Sequence, residues 1–307
     1  MNLLEISRTE RVTAPVFIVG EARSGTTILY RSMQKHPAFR PRSENLWESK
    51  IMVHVENAAS FGPREPGTMY GHMAHDDDRY QAFLTSIAPL RPLLAAGEAA
   101  LRRVPARHRS RIWTASGHPL VVRSYFHHVR SARGVKRVLE KTPSHVNYVH
   151  RLLRCYPKAR LIYIHRHPVD VYTSYVRRAR VDPVAARWAA LKPTAFAQRW
   201  ARNTTLALAA AAEVPASFLM VRYEQFTAEP DETMRGICDF IGEPFDLEIV
   251  REPNPDLARR RAAPHLFGEI TTKTKEWRDY VTPLDAAALQ QRLAPVMDRL
   301  SYQPYPS

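Results

Sequence analysis

Residues 16–27 read VFIVGEARSGTT, and this stretch decides the fold. The apolar run at 16–20 predicts a buried strand, Gly20 and Gly25 bracket a turn, and residues 25–35 predict a helix that His36-Pro37 ends. A strand that enters a helix through such a turn can hold phosphate groups with backbone N–H donors and a positive helix end. The alternative is a turn in which the glycines only permit tight backbone geometry.

The loop differs from a nucleotide P-loop at one informative position. Gly20 and Gly25 have the spacing of G-x-x-x-x-G-K-[ST], but Thr26 stands at the lysine position and the basic side chain is Arg23, inside the loop. Phosphoryl transfer relies on that lysine and on Mg²⁺, so its loss argues against a kinase or triphosphatase. Arg23 with Thr26 and Thr27 can still bind a short diphosphate-like anion without metal. The 5′ end of 3′-phosphoadenosine 5′-phosphosulfate is such a group.

Composition narrows the class of protein. The 307 residues are 45% hydrophobic, enough for the core of one domain over 1–307, and the net charge of +15 favours anionic partners. We find no nucleic-acid motif, no apolar run of the ~20 residues that a membrane span needs, and no secretory leader. Cys155 and Cys238 lie in apolar segments as core thiols do. We therefore expect a cytoplasmic protein without a nucleic-acid partner. The oligomeric state is left open, with a homodimer as one option.

Alternating strands and helices predict an α/β fold with a central parallel sheet flanked by helices on both faces. Beyond the first unit, strands are predicted at 160–165 and 217–221, and helices at 144–155, 169–180, 194–213 and 230–241. The Pro-punctuated residues 57–117 predict a mainly helical insertion that covers the acceptor site. Residues 265–307 predict a C-terminal closing segment and helix, ending in a frayed Pro-rich tail.

Ligands in open α/β sheets bind beyond the carboxyl ends of the strands, and three further strand ends carry suggestive groups. Lys141 follows a short strand, and Tyr223 follows the strand at 217–221. Arg166 directly follows the strand at 160–165, and Ser174 comes eight residues later on the next helix, so both can point at one anion. The alternative for Arg166 is an i,i+4 ion pair with Asp170.

These residues resemble the sulfotransferases that use 3′-phosphoadenosine 5′-phosphosulfate. FIVGEARSGTT is similar to their 5′-phosphosulfate loop, in the Arg-containing form of the tyrosylprotein sulfotransferases and their bacterial relatives, and LIYIHRHPVDVYTSYVRR is similar to their 3′-phosphate segment. His36-Pro37, Glu-Lys-Thr-Pro at 140–143 and VRYEQFTAEP at 221–230 also match. The resemblance covers about 15–246 in the family's order, with the insertion unmatched. It implies a P-loop-like fold and sulfuryl transfer to an acceptor hydroxyl.

The resemblance also implies roles for individual residues. Five loop residues would hold the 5′-phosphosulfate: Arg23, Ser24, Gly25, Thr26 and Thr27. Arg166 and Ser174 would bind the 3′-phosphate, and Arg178 and Tyr223 would help to hold the nucleotide. Lys141 would neutralise the bridging oxygen. A looser match at 267–283 adds Lys273 and Lys275 as donor contacts.

Glu44 falls where the tyrosylprotein branch has its catalytic carboxylate, which makes it the candidate general base. The sequence departs from that branch here, because it reads Arg42-Ser43-Glu44 instead of a glycine and paired acids. His36, His165 and His167 are alternative bases. No metal is implied, since Arg23 and Lys141 supply the cations. The rival functions are P-loop kinase or triphosphatase chemistry and nucleic-acid binding. The acceptor class stays open among carbohydrates, glycolipids, phenols, peptides and other small molecules.

Overall fold

The computed structural model describes most of the chain. It covers residues 14–41, 48–52, 118–247 and 277–306, and the separate positions 55, 92, 96, 100, 103, 104 and 108.

Four strands form one parallel sheet in the described part of the chain. They are β1 (Val16–Gly20), β2 (Leu139–Lys141), β3 (Arg160–His165) and β4 (Phe218–Arg222), in the order β2-β1-β3-β4. β3 and β4 are parallel, with Leu161 opposite Phe218 and His165 opposite Arg222. β1 is apolar and buried throughout, as a strand of a covered parallel sheet is, and β2 is also buried although it carries Glu140 and Lys141. The carboxyl ends of the strands carry Gly20, Lys141, His165 and Arg222.

Nine α-helices and two short 3₁₀ helices lie wholly within the described ranges. The α-helices are α1 (Thr26–Gln34), α2 (His118–Arg133), α3 (Val149–Cys155), α4 (Pro168–Val181), α5 (Pro183–Ala189), α6 (Pro193–Glu213), α7 (Tyr223–Ala228), α8 (Pro230–Ile241) and α9 (Pro283–Arg299). The 3₁₀ helices are Pro143–Tyr148 and Trp277–Asp279. Proline opens α4, α6, α8 and α9, where its missing N–H costs no hydrogen bond.

These elements confirm the predicted α/β fold. The strand at 16–20 and the helices α1, α4, α6 and α8 lie within two residues of the predicted bounds, and Cys155 and Cys238 are buried and form no disulfide. The continuous helix predicted at 144–155 is wrong in its first half, which is a 3₁₀ helix whose first bond runs from the His145 N–H to the Thr142 carbonyl at 3.0 Å. Most of the 57–117 insertion lies outside the described residues.

The chain divides into two compact units. The first contains the described parts of Met1–Val16, Pro37–Glu140 and Tyr148–Ala159. In it α2 packs on α3, and the Arg123 Nε donates to the Cys155 carbonyl at 2.8 Å. The second contains Phe17–His36, Lys141–Asn147 and the described parts of Arg160–Ser307. The single domain expected from the sequence stays a prediction.

In the second unit, α4, α6 and α9 share one apolar core that includes Tyr172, Trp200 and Leu293. The C-terminal tail after α9 belongs to the same packing, because Tyr302 is 2% exposed and Tyr305 packs against the cluster. The expectation of a frayed tail is therefore wrong. Two aromatic side chains bury enough apolar surface to hold a segment that its prolines suggested was loose. In the described residues no helix is both long enough and apolar enough to cross a membrane.

Candidate active site

The loop from β1 to α1 has the backbone geometry of an anion-binding turn. Gly25 is the N-cap of α1 with φ at 102°, and Arg23 also lies in the left-handed region with φ at 74°. Left-handed backbone is uncommon for a residue with a Cβ, and strained backbone clusters at functional sites. Gly25 has no side chain with which to cap the helix, so the first-turn amides of α1 face a position where a ligand can accept their hydrogen bonds.

The buried carboxylate of Glu21 holds this loop in place. Glu21 is 2% exposed, and its oxygens accept hydrogen bonds from the Tyr175 hydroxyl at 2.8 Å and the Asn203 Nδ2 at 2.7 Å. Arg199 forms an ion pair with it at 2.8 Å. The loop is thereby attached to α4 and α6 at the residue that directly follows β1. Sequence reasoning missed Glu21, whose only local signal is an acid inside a glycine-bracketed loop.

Arg23 and Ser174 are brought together across the site. The Arg23 Nε donates a 3.1 Å hydrogen bond to the Ser174 Oγ on α4. Burial, followed by the nearby charges of Arg178, Arg177 and Arg166, lowers the pKa of the Arg23 guanidinium. The site thus concentrates positive charge that an anionic ligand would neutralise.

Arg166 is held between an acid and an aromatic ring. It is 8% exposed, forms a 3.2 Å ion pair with Asp170, and places its guanidinium carbon 4.3 Å from the centroid of the Tyr223 ring. The i,i+4 pair weighed as the alternative is present. Even with this ion pair, the buried Arg166 Nε has no hydrogen-bond partner among the described residues. The buried Ser24 Oγ on the loop has none either. Buried donors of this kind are expected to have a ligand or water partner.

Tyr223 connects the loop to Arg166. A Cβ added at Gly25 would overlap the Tyr223 ring, so only glycine permits this approach. The ring therefore contacts the N-cap of α1 with one part and the Arg166 guanidinium with its face. Similarly, a Cβ at Gly20 would lie 2.7 Å from the Ile164 carbonyl oxygen, so glycine lets β1 approach β3 at the start of the loop.

The other residues predicted to contact the donor are not connected to Arg23 and Arg166 by hydrogen bonds that the structure describes. Lys141 ends β2 and is 2% exposed. Thr26 is buried and Thr27 half-buried, both in the first turn of α1. Arg178 lies one turn beyond Ser174 on α4, where its guanidinium pairs with Asp182 and stays 44% exposed. Glu44, Lys273 and Lys275 lie outside the described residues.

The three histidines considered as alternative bases all form hydrogen bonds within the protein. Burial, followed by the charge of Arg222, lowers the pKa of His165 to about 4, and burial lowers that of His167 to about 4. The Tyr302 hydroxyl is 2.9 Å from the His165 Nδ1, and the His167 Nε2 donates to the Gln303 carbonyl at 3.2 Å. The His36 Nε2 donates to the Pro244 carbonyl at 3.0 Å. Imidazoles with pKa values as low as those of His165 and His167 are weak general bases at neutral pH.

Chemically, the arrangement suits a ligand with two anionic groups. One anionic group could be bound by the α1 amides, Arg23 and Ser24, and the other by Arg166 and Ser174. Within the described ranges no group of three or more His, Cys, Asp or Glu side chains is arranged to hold a metal ion. The ligand charge would then be balanced by guanidinium and backbone N–H groups.

A family model and a curated relative are similar to this chain. A family model described as the sulfotransferase family matches residues 15–247, which is most of the chain. An uncharacterised protein of Aquifex aeolicus is 22% identical over 283 residues, covering 88% of this chain. The chain spans only 31% of the length of that relative.

Solved structures show the same fold at low identity. The sulfotransferase domain from the curacin biosynthetic pathway is 15% identical with a TM-score of 0.55, covering 95% of this chain and 99% of its own. The sulfotransferase domain from the Synechococcus PCC 7002 olefin synthase is 20% identical with a TM-score of 0.53, covering 96% and 97%.

Proposed function

The chain belongs to the sulfotransferase family, and we propose that it transfers a sulfuryl group from 3′-phosphoadenosine 5′-phosphosulfate to an acceptor hydroxyl. The product nucleotide would be adenosine 3′,5′-bisphosphate. The proposal rests on the family and on the pairing of two anion-binding segments in the second unit.

The observation that carries the donor assignment is the 3.1 Å hydrogen bond from Arg23 to Ser174. It joins the loop after β1 to the helix after β3, so a ligand at one segment is within reach of the other. Tyr223 contacts both Gly25 and Arg166 and so ties the same two segments a second time. A mononucleotide with anionic groups on its 5′ and 3′ positions fits two linked cationic sites better than a nucleoside triphosphate, whose charge lies at one end.

In the proposed donor complex, the 5′-phosphosulfate lies at the α1 N-terminus with Arg23, Ser24, Gly25, Thr26 and Thr27. The 3′-phosphate lies at Arg166 and Ser174, with Tyr223 and Arg178 beside the nucleotide. Arg178 would have to exchange its contact with Asp182 for the ligand. Lys273 and Lys275 complete the proposed set.

The reaction is an in-line displacement at sulfur. The acceptor oxygen forms a bond to sulfur while the bond from sulfur to the bridging phosphate oxygen breaks, and the bisphosphate leaves with that electron pair. Glu44 is the proposed base that takes the hydroxyl proton. Lys141 and Arg23 stabilise the negative charge that grows on the leaving oxygen, a kind of electrostatic stabilisation that is usually the largest catalytic effect, and we propose no metal ion.

The acceptor is proposed only as a class: a hydroxyl of a carbohydrate, glycolipid, phenol or other small molecule. The 57–117 insertion is the proposed cover of its site. Cys155 and Cys238 are buried thiols that form no disulfide, which supports a reducing compartment, and we propose the cytoplasm.

Thermal denaturation with three ligands separates the candidate functions. We expect adenosine 3′,5′-bisphosphate to raise the melting temperature by stabilising the native state, and Mg-ATP and a mixed-sequence oligonucleotide to raise it much less. Arg166→Ala should lose most of the shift. Kinase or triphosphatase chemistry is supported instead if Mg-ATP gives the larger shift, and nucleic-acid binding if the oligonucleotide does. An acceptor screen with sulfur-labelled donor then identifies the acceptor class.

A further inference from the structure

We propose that Glu224 is a positioning residue for Arg166 in donor binding, and that Tyr302 in the C-terminal tail, residues 300–306, holds Glu224 in place. The inference rests on the proposed function and gives roles to two residues that have none in it. One of them, Tyr302, lies beyond the family match, which ends at residue 247.

Glu224 holds the peptide unit that joins Arg166 to His167. Its Oε1 accepts a hydrogen bond from the His167 backbone N–H at 2.9 Å. His167 is the N-cap of α4, so the carboxylate also lies at the positive end of that helix, where an acid is favourable. Because a peptide unit is planar, an N–H held at residue 167 also fixes the carbonyl end of Arg166.

The preceding residue holds the side chain of the same arginine. The centroid of the Tyr223 ring lies 4.3 Å from the Arg166 guanidinium carbon. Two consecutive residues at the start of α7 therefore hold Arg166, Glu224 through the backbone and Tyr223 through the side chain. The buried Arg166 Nε has no hydrogen-bond partner among the described residues, so the direction that these contacts give it determines whether a phosphate can accept from it.

The second carboxylate oxygen of Glu224 is held by the tail. The Tyr302 hydroxyl donates to the Glu224 Oε2 at 3.0 Å and lies 2.9 Å from the His165 Nδ1. Because a hydroxyl has one hydrogen and an ionised carboxylate only accepts, the His165 Nδ1 is the donor in the second contact. The Arg222 Nε forms an ion pair with the same Oε2 at 3.6 Å. Both oxygens of Glu224 thus have partners inside the protein.

The Tyr302 ring is itself fixed. It is 2% exposed and packs edge-on against the rings of His165 and His167, with centroids 5.6 and 5.4 Å apart. The Arg222 guanidinium carbon lies 4.2 Å from its centroid. The carbonyl of the next residue, Gln303, accepts from the His167 Nε2 at 3.2 Å. The position of the ring therefore determines where its hydroxyl meets Glu224.

Charge and positioning predict effects of opposite sign. Glu224 is an acid close to a proposed phosphate site, so by charge alone its removal should strengthen binding of an anion there. If the carboxylate positions Arg166, its removal releases the peptide unit between Arg166 and His167 and weakens binding of the 3′-phosphate. The sign of the change in affinity distinguishes the two.

The test is the Glu224→Ala variant. We expect its Kd for adenosine 3′,5′-bisphosphate to rise about tenfold, the effect of one hydrogen bond to a charged group, and its Kd for adenosine 5′-monophosphate to stay unchanged because that ligand lacks the 3′-phosphate. KM for the donor should rise by a similar factor, with a smaller change in kcat. The matched control is Glu232→Ala, which removes the same charge at an exposed position of α8 and should change neither Kd.

Glu224→Gln is the conservative variant. Its amide oxygen can accept from the His167 N–H, and its Nε2 can donate to the Tyr302 hydroxyl, which then donates to the His165 Nδ1. We expect this variant to recover most of the bisphosphate affinity. A loss as large as that of Glu224→Ala would show that the charge of Glu224 matters and not the contact with His167, and would overturn the inference.

A double-mutant cycle tests whether the effect passes through Arg166. Adding Glu224→Ala to Arg166→Ala should cause no further loss of bisphosphate affinity. The inference is overturned by additive effects in this cycle, by equal losses for the two nucleotides, or by a bisphosphate affinity in Glu224→Ala that is unchanged or higher. If the unmodified protein binds neither nucleotide, the proposed function fails instead.

Melting temperatures without ligand identify a variant that folds poorly. Tyr302→Phe then provides a second test, because it keeps the ring contacts and removes only the hydroxyl that holds Glu224. We expect its Kd for the bisphosphate to rise about threefold and its Kd for the monophosphate to stay unchanged. Wild-type affinity for the bisphosphate in Tyr302→Phe would overturn the role of the tail.

Discussion

The Arg23 guanidinium and the Ser174 hydroxyl are 3.1 Å apart although 151 residues separate them in the chain. Arg23 lies in the loop that follows β1, and Ser174 lies on the helix that follows β3. The hydrogen bond therefore connects the segments that follow two neighbouring strands. Neither side chain is fixed by its own segment alone.

We predict that Arg23 and Ser174 are energetically coupled in donor binding. In a double-mutant cycle with Arg23→Lys and Ser174→Ala, the coupling energy for adenosine 3′,5′-bisphosphate should be about 1 kcal/mol, because lysine keeps the charge but cannot make the Nε contact. Isothermal titration of the four proteins measures it. Additivity of the two single effects would show that the contact has no part in binding.

Gly25→Ala should abolish bisphosphate binding and lower the free energy of unfolding by about 1–3 kcal/mol. The added Cβ overlaps the Tyr223 ring and also forces alanine into left-handed backbone. The matched control is Gly236→Ala in α8, where a Cβ meets nothing within 4 Å and alanine should be neutral or stabilising by up to ~1 kcal/mol. Urea denaturation and bisphosphate titration check both variants, and equal behaviour of the two would contradict the prediction.

Glu21→Gln should destabilise the protein by about 2–4 kcal/mol. The change is nearly isosteric, but it leaves Arg199 without its carboxylate in a site where Glu21 is almost fully buried. Glu232→Gln, at an exposed position in the first turn of α8, is the control and should cost less than ~1 kcal/mol. Chemical denaturation without ligand measures both. A Glu21 loss no larger than the control's would mean that the buried carboxylate does not support the loop.

Lys141→Met should lower kcat at least about 100-fold and change bisphosphate affinity much less, because the lysine is proposed to act on charge that appears only as the bridging bond breaks. Glu44→Gln should also lower kcat strongly. Steady-state assays with the acceptor found by screening measure both effects. Wild-type turnover in Glu44→Gln would exclude that carboxylate as the base.

Acid should destabilise the contacts between the tail and the Arg166 segment. The folded-state pKa values of His165 and His167 are both lowered to about 4, whereas an unfolded histidine titrates near 6.5. The unfolded state therefore binds more protons between these values, and stability is full above pH ~6.5 and falls as the pH drops toward 4. We expect a loss of several kcal/mol over that range for the pair.

Melting curves between pH 7.5 and 4.5 measure this dependence. His165→Asn should flatten the curve, whereas His128→Asn, at an exposed position, should leave its slope unchanged. A slope as steep in His165→Asn as in the unmodified protein would assign the acid sensitivity to other groups.

Local signals explain why the fold was predictable. The apolar run of β1, the two glycines and the helix that begins at Thr26 are contiguous, so their pattern could be interpreted without tertiary information. The same holds for α8, whose apolar face at Met234, Ile237, Cys238 and Ile241 is buried as its period predicts.

Contacts between distant residues were not predictable in this way. The partners of Glu21 lie on α4 and α6, and nothing in the loop sequence indicates which arginine will meet a buried acid. The tail shows the same limit, because its prolines suggest a loose end while its tyrosines find partners near residues 165–170 that no periodicity reveals. The 3₁₀ helix after Lys141 has fewer residues per turn than an α-helix, but over six residues the apolar pattern is too short to distinguish the two.

In the proposed donor complex, the Tyr223 ring has a further consequence for nucleotide selection. Because one rigid ring touches both Gly25 and Arg166, it acts as a spacer of fixed width between the two cationic segments. Regioisomers that carry the same total charge, such as adenosine 2′,5′-bisphosphate, present their two anions at a different separation. Discrimination between the isomers would then come from the dimensions of an aromatic side chain, and it would be lost on widening or removing that ring while the net charge of the site stays the same.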